Sequence, residues 1–207
     1  MRDVKDPEVR RAEIMEAALR LFAEKGFLNT TTQDIIDEVK ISRGLLYYHF
    51  ENKEDILYCL VEKYSEPLLR RLSAISYDEE KSALEKVRSF IDATMISPDT
   101  ITKEMIELQK NVDLEQNHYM MDRFSHRFSN MVTSYFSHII EQGIAEGVFH
   151  VTYPLETAAF LMTGYVFVAN DVKALPMEIE QLIQYVTAYK ELLERVLGVE
   201  TPIFTNR

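Results

Sequence analysis

Apolar residues recur at helical spacing along most of the chain, and polar caps cut that pattern into segments. Ile14, Ala17, Ala18, Leu21 and Phe22 mark one face of a first helix. Asp6-Pro7-Glu8 opens it with a capping aspartate, a proline at the first helical position and an acidic first turn, and Gly26 stops it. A second, short helix is predicted from Thr31. Thr31 and Asp34 have capping-box spacing there, and Ile35, Ile36 and Val39 form the inner face. Lys40-Ile41-Ser42 is the break. Ser42 then caps a third helix from Arg43 to about Phe50, whose Leu46 and Phe50 are expected to pack against Ile35 and Val39. Asn52 caps a fourth, with Ile56, Leu57, Leu60, Val61 and Tyr64 on one side. Two short helices joined by about three residues, with apolar Ile41 in the turn, are the layout of a helix-turn-helix.

The fourth pattern continues through Leu68, Leu69 and Leu72, but Pro67 lies inside it. Proline removes the bond to the Lys63 carbonyl, so a kink or an end is expected there, with a domain boundary beside it. Five more helices are predicted, at about 78–96, 102–114, 117–146, 154–173 and 176–197. The expected organisation is a helix-turn-helix domain over 1–66, a second helical domain over 67–200, and a frayed tail over 201–207. The fold class is all-α: a three-helix head followed by a helical body, about nine helices in total.

Composition supports that class. Glycine and proline number six each among 207 residues, too few for the turns of an all-β protein. The net charge of -11 argues against a protein that coats nucleic acid through bulk positive charge. Residues 1–65 themselves carry ten Lys and Arg against thirteen Asp and Glu, so any DNA contact must come from a local patch. Cys59 is the only cysteine, which excludes a disulfide framework and a thiolate metal cluster. The first residues lack the apolar core of a signal peptide. The longest apolar run, Ala158 to Ala169, is shorter than the ~20 residues of a membrane span. A soluble cytoplasmic protein without a membrane partner is expected.

The densest chemistry lies between Thr31 and Leu57. Helix starts at Thr31/Thr32, Ser42 and Asn52 offer unpaired backbone N–H groups. Thr32, Ser42, Tyr47, Tyr48 and His49 can donate to phosphate oxygens. Lys53 occupies a first helical turn, where the dipole disfavours a cation and a nearby anion would relieve the conflict. Arg43 can reach guanine O6 and N7. Gly44, which costs about 1 kcal/mol in a helix interior, lets the backbone approach base edges. Capping and core packing explain some of these residues taken singly; their co-occurrence within about twenty-five residues favours DNA.

Ile41-Ser42-Arg43-Gly44-Leu45-Leu46-Tyr47-Tyr48-His49-Phe50, followed by Lys53-Glu54-Asp55-Ile56, resembles the DNA-binding head of the TetR family of transcriptional regulators. Gly143-Ile144-Ala145-Glu146-Gly147-Val148-Phe149 is a second, weaker likeness. The resemblance implies that Thr32, Ser42, Tyr47, His49 and Lys53 hold phosphates while Arg43, Gly44 and Leu45 face bases. Lys40 stands where that family usually has a turn glycine. The resemblance also implies an operator-bound homodimer released by a small molecule.

Methionines and aromatics crowd the body. Met105, Met121, Phe124, Phe128, Met131 and Tyr135, with Phe160 and Tyr165, are candidates to line a cavity for an apolar or aromatic effector. Residues 158–169 are apolar nearly all round, and the last helix is too broadly apolar for one contact stripe. Leu161, Val168, Leu182, Tyr189, Leu193 and Val196 are therefore expected to form a four-helix dimer interface. No nucleophile–base–orienter set can be assembled, so no catalytic residue, metal or cofactor is expected. The expected function is a repressor of transcription on a palindromic duplex. Rivals are a helical ligand carrier or enzyme with an idle head, and a DNA-organising factor without a ligand.

Overall fold

The computed structural model describes residues 6–94, 118–174 and 179–204, with backbone only at 118–124, 170–174, 179 and 182. The described residues form eight helices and no strand: α1 Pro7–Lys25, α2 Thr32–Val39, α3 Arg43–His49, α4 Lys53–Ser76, α5 Ala83–Thr94, α6 His118–Ala145, α7 Pro154–Ala174 and α8 Ile179–Leu197. The predicted helix at 102–114 lies outside the described residues. The chain divides at Glu66/Pro67 into two compact units. The first holds residues 6–66 with 118–124, and the second holds 67–94 with 125–204.

Local chemistry sets the first unit's boundaries. The Asp6 carboxylate accepts from the Glu8 amide at 2.9 Å, and Gly26 ends α1 at φ 80°. Thr31 and Asp34 complete the capping box in both directions, at 3.1 and 2.8 Å. Ser42 caps α3 and Asn52 caps α4 through the amides of Leu45 and Asp55. The core beneath joins Ile14, Phe22, Ile35, Leu46, Phe50 and Leu60, with Val39 packed against it. Fully burying each such side chain contributes about 1.5–3 kcal/mol. That is what fixes a seven-residue helix too short to stand alone.

The turn between α2 and α3 runs through Lys40 in the left-handed conformation, φ 57° and ψ 47°. The amides of Lys40 and Ile41 both reach the Ile36 carbonyl, closing α2 as a glycine would. The left-handed turn is thus held despite the lysine, with the Cβ strain retained.

Helix α4 does not end at Pro67. It stays helical from Lys53 to Ser76. One backbone bond is forfeited, while Leu60 on one side of the proline and Leu72 on the other are each buried in their own unit's core. Helix α5 starts at Ala83 rather than near residue 78. Ser82 and Glu85 form a capping box there, and Asp78 is instead engaged in a turn with Lys81. Buried Lys86 ties the end of α4 to α6, donating to the Ser76 carbonyl at 3.0 Å and to Gln142 Oε1.

In the second unit, Val87, Phe90, Phe136, Ile140, Met162 and Leu197 share one core. Gly143 has no room for a Cβ because the Phe149 ring lies against it, and Gly147 turns the chain at φ 73°. These two positions account for the Gly-x-x-x-Gly-x-Phe pattern. The segment predicted to fray is docked as far as it is described. Ile203 is 1% exposed, Arg88 donates twice to its carbonyl, and Glu194 accepts from the Phe204 amide.

Replacing Lys40 with glycine relieves the left-handed strain, offset in part by the greater freedom of glycine in the unfolded chain. Lys40→Gly is therefore expected to stabilise the first unit by about 0.5–1 kcal/mol in urea denaturation. A loss of stability would show that the lysine side chain makes a compensating contact.

Candidate nucleic-acid interface

Two buried residues orient α3. Leu46 and Phe50 are 1% and 2% exposed, so the opposite face must point outward. That face presents Arg43, Gly44, Tyr47 and Tyr48, all exposed, with Leu45 and His49 half-buried at its edges. Tyr48 is 73% exposed, a large apolar ring facing solvent. A Cβ on Gly44 would meet nothing within 4 Å. Packing inside the chain therefore gives no reason for a glycine there, and the bare backbone is free for an approaching surface.

The outer face is pre-arranged. Arg43 lies over the Tyr47 ring, its guanidinium carbon 5.7 Å from the centroid. Hydrogen bonding to Thr32, then to the Arg43 guanidinium, lowers the Tyr47 phenol from its ordinary value. At the other end of α3, Arg11 donates to the His49 carbonyl at 3.2 Å, contacts Cys59 Sγ at 2.9 Å and lies over the Phe50 ring at 4.6 Å. Burial, then the positive charge of Arg11, lowers the His49 imidazole, while burial raises the Cys59 thiol.

Thr31 caps α2, and Thr32, Ser42, Arg43, Gly44, Leu45, Tyr47, Tyr48 and His49 lie on α2, α3 or the turn between them. Lys53 is placed differently. Its ammonium donates to the carbonyls of Phe27 at 2.8 Å, Leu28 at 3.2 Å and Thr30 at 2.9 Å. These three carbonyls oppose the charge that the dipole of α4 disfavours. Arg11 was missed in the sequence because its contacts lie 38 and 48 residues away.

The body residues divide. Phe128 and Tyr135 are half-buried against the second core. Met131 is half-buried, and the Tyr165 hydroxyl donates to the Thr94 carbonyl at 3.2 Å. Phe160 is 84% exposed and lines no interior. Met105 and the side chains of Met121, Phe124 and Leu182 lie outside the described residues. Of the dimer candidates, Leu193 is fully buried and Leu161 6% exposed, so both are occupied within their own unit. The Tyr189 hydroxyl donates to the Leu161 carbonyl. Val168 and Val196 remain exposed, joined by Phe160, Ile183, Tyr185 and Leu192. Because α7 is apolar nearly all round, its sequence carries no phase to distinguish inner from outer residues.

Residues 14–58 match the model of bacterial regulatory proteins of the tetR family, and residues 100–192 match a tetracyclin repressor-like C-terminal domain. The HTH-type transcriptional regulator YfiR of Bacillus subtilis is 29% identical over 156 residues, covering 72% of this chain and 73% of that protein. The HTH-type transcriptional repressor KstR2 of Mycobacterium tuberculosis is 29% identical, over 68% of this chain and 69% of its own length. A crystal structure of a TetR-family transcriptional regulator from Pectobacterium atrosepticum superposes with a TM-score of 0.67 at 25% identity, covering 95% and 97% of the two chains. With helices the only regular elements among the described residues and both family models matched, this chain belongs to the tetR family of bacterial transcriptional regulators.

Proposed function

We propose that this regulator represses transcription as a homodimer, each subunit laying α3 in the major groove of a palindromic duplex until a small apolar or aromatic effector releases it. The observation that carries the reading is the outer face of α3: Arg43, Gly44, Tyr47 and Tyr48 exposed over an inner face locked by Leu46 and Phe50. Arg43 reads a base edge. Thr31, Thr32, Ser42, Tyr47, Tyr48 and His49 position the flanking phosphates. Likeness to a repressor, KstR2, supports the negative sign of regulation. Phe128, Met131, Tyr135 and Tyr165 are the described side chains proposed to face the effector.

Two heads are needed because one short helix contacts few bases. The exposed apolar residues of α7 and α8, Phe160, Val168, Leu192 and Val196 among them, are proposed to pack against their own copies. Such a dimer would set the heads at successive grooves, about 34–36 Å apart. A domain division at residues 66/67 would leave reading to the first unit, and sensing and pairing to the second.

In-vitro selection from randomised duplexes tests the reading directly. An enriched inverted repeat is expected, released by apolar aromatic compounds and not by polar metabolites; enrichment of no sequence would sink it. On the selected duplex, Arg43→Ala is expected to lose about 1–3 kcal/mol of discrimination at one base pair in each half-site, read by titrating single-base variants. Discrimination left intact would remove Arg43 from the reading set.

His49 sets a pH dependence. Its free-state value is lowered, and a phosphate oxygen beside it would raise it, so DNA binding should take up a proton. Affinity is then expected to rise roughly threefold to tenfold between about pH 7.5 and pH 6, the window below the raised value. The rise should vanish in His49→Gln; if it persists there, His49 touches no phosphate. Leu192→Glu, at a site 48% exposed on the single chain, is expected to yield folded monomers by analytical ultracentrifugation and to weaken DNA binding at least about a hundredfold. A dimeric variant would place the interface elsewhere.

A further inference from the structure

We infer that Lys53 is a positioning residue: its ammonium fastens the α1–α2 loop, and through it the DNA-facing first turn of α2, instead of contacting a phosphate. The inference rests on the DNA-binding reading above.

An ammonium has three N–H donors and no acceptor. At Lys53 the carbonyls of Phe27, Leu28 and Thr30 lie within 2.8–3.2 Å, enough to occupy all three. The ammonium also lies 4.5 Å from the centroid of the Phe27 ring, and that ring is packed edge-on against Phe22. A phosphate contact would require Lys53 to surrender these partners. It would leave three carbonyls converging without their donor, one of them belonging to fully buried Thr30.

The loop has a second tie, which makes it a rigid link. Thr30 Oγ1 donates to the carbonyls of Leu21 and Gly26 at 3.2 and 2.8 Å, closing the end of α1. The next residue, Thr31, caps α2, and Lys25 pairs with the capping-box carboxylate of Asp34 at 2.7 Å. Thr32 opens α2 immediately after that cap. A path of direct contacts and adjacent residues thus runs from the start of α4 to the first turn of α2. Lys53 anchors its near end.

Salt dependence separates the two roles. A lost phosphate contact flattens the plot of log K against log salt by about 0.9 for duplex DNA, whereas a lost positioning contact displaces the plot without changing its slope. The full-length protein and the selected duplex would be titrated across salt for the wild type, Lys53→Met, Lys53→Arg, Thr32→Val and the Lys53→Met/Thr32→Val pair. Under the inference, Lys53→Met binds roughly tenfold more weakly at every salt with the slope kept. Lys53→Arg behaves the same way, because a planar fork cannot serve three converging carbonyls. The double variant loses little more than either single one, a non-additivity that general destabilisation would not produce.

A slope shallower by about 0.9 in Lys53→Met, wild-type affinity in Lys53→Arg, or additive losses in the double variant would each overturn the assignment. Should the wild type select no duplex, the DNA-binding reading fails on its own. The clamp is then judged by amide exchange at Asp34 and Ile35, expected to quicken more than about tenfold in Lys53→Arg. Unchanged exchange there overturns it. If Lys53→Met does not fold, the Lys53→Arg titration and exchange decide the matter.

Discussion

A seven-residue helix cannot hold its own shape in water, so everything this protein does at DNA depends on how firmly α3 is seated. Leu46 and Phe50 seat it from below. Because they are four residues apart on a helix, they bury one stripe and leave the other to solvent. The polar contacts then fix the remaining freedoms. Ser42 closes the start of the helix and Arg11 holds its final carbonyl. Side chains constrained before DNA arrives lose less entropy on binding, and that matters for a chain of net charge -11 with little long-range attraction for phosphate.

The parts legible in the sequence were those whose causes are local. Asp6, the Thr31–Asp34 box, Ser42 and Asn52 act within four residues of themselves, so their patterns predict helix starts that the structure repeats. The start of α5 was equally local, in Ser82 and Glu85, but lay hidden behind acidic residues at 78–80 that also resemble a first turn. What pattern could not supply was partnership at a distance. The carbonyls around Lys53 lie 23 to 26 residues upstream of it, and the dipole argument looked only to an outside anion to answer its charge. Ile203 was read as frayed because it lies in the last residues of the chain. Its anchor, Arg88, is 115 residues away.

The candidate site shows the same division. Helical phase separates inner Leu46 from outer Tyr47 without any structure. It fails on α7, where nearly every position is apolar. There only coordinates show Phe160 standing outside while Met162 is buried. The sequence reading counted Phe160 among cavity-lining residues from the crowding of methionines and aromatics, a signal that carries no phase either.

The exposed flank of α7 and α8 has a consequence for how much of this regulator a cell must keep. A protomer that leaves a phenylalanine 84% exposed is an incomplete folding unit in the proposed assembly, since association supplies burial that its own chain does not. Its resistance to heat and to proteases would then vary with its abundance, by mass action. Molecules made in excess would be protected, and the last few remaining after dilution by growth would be the easiest to degrade, so the supply of operator-competent dimers would decline more steeply than the total protein.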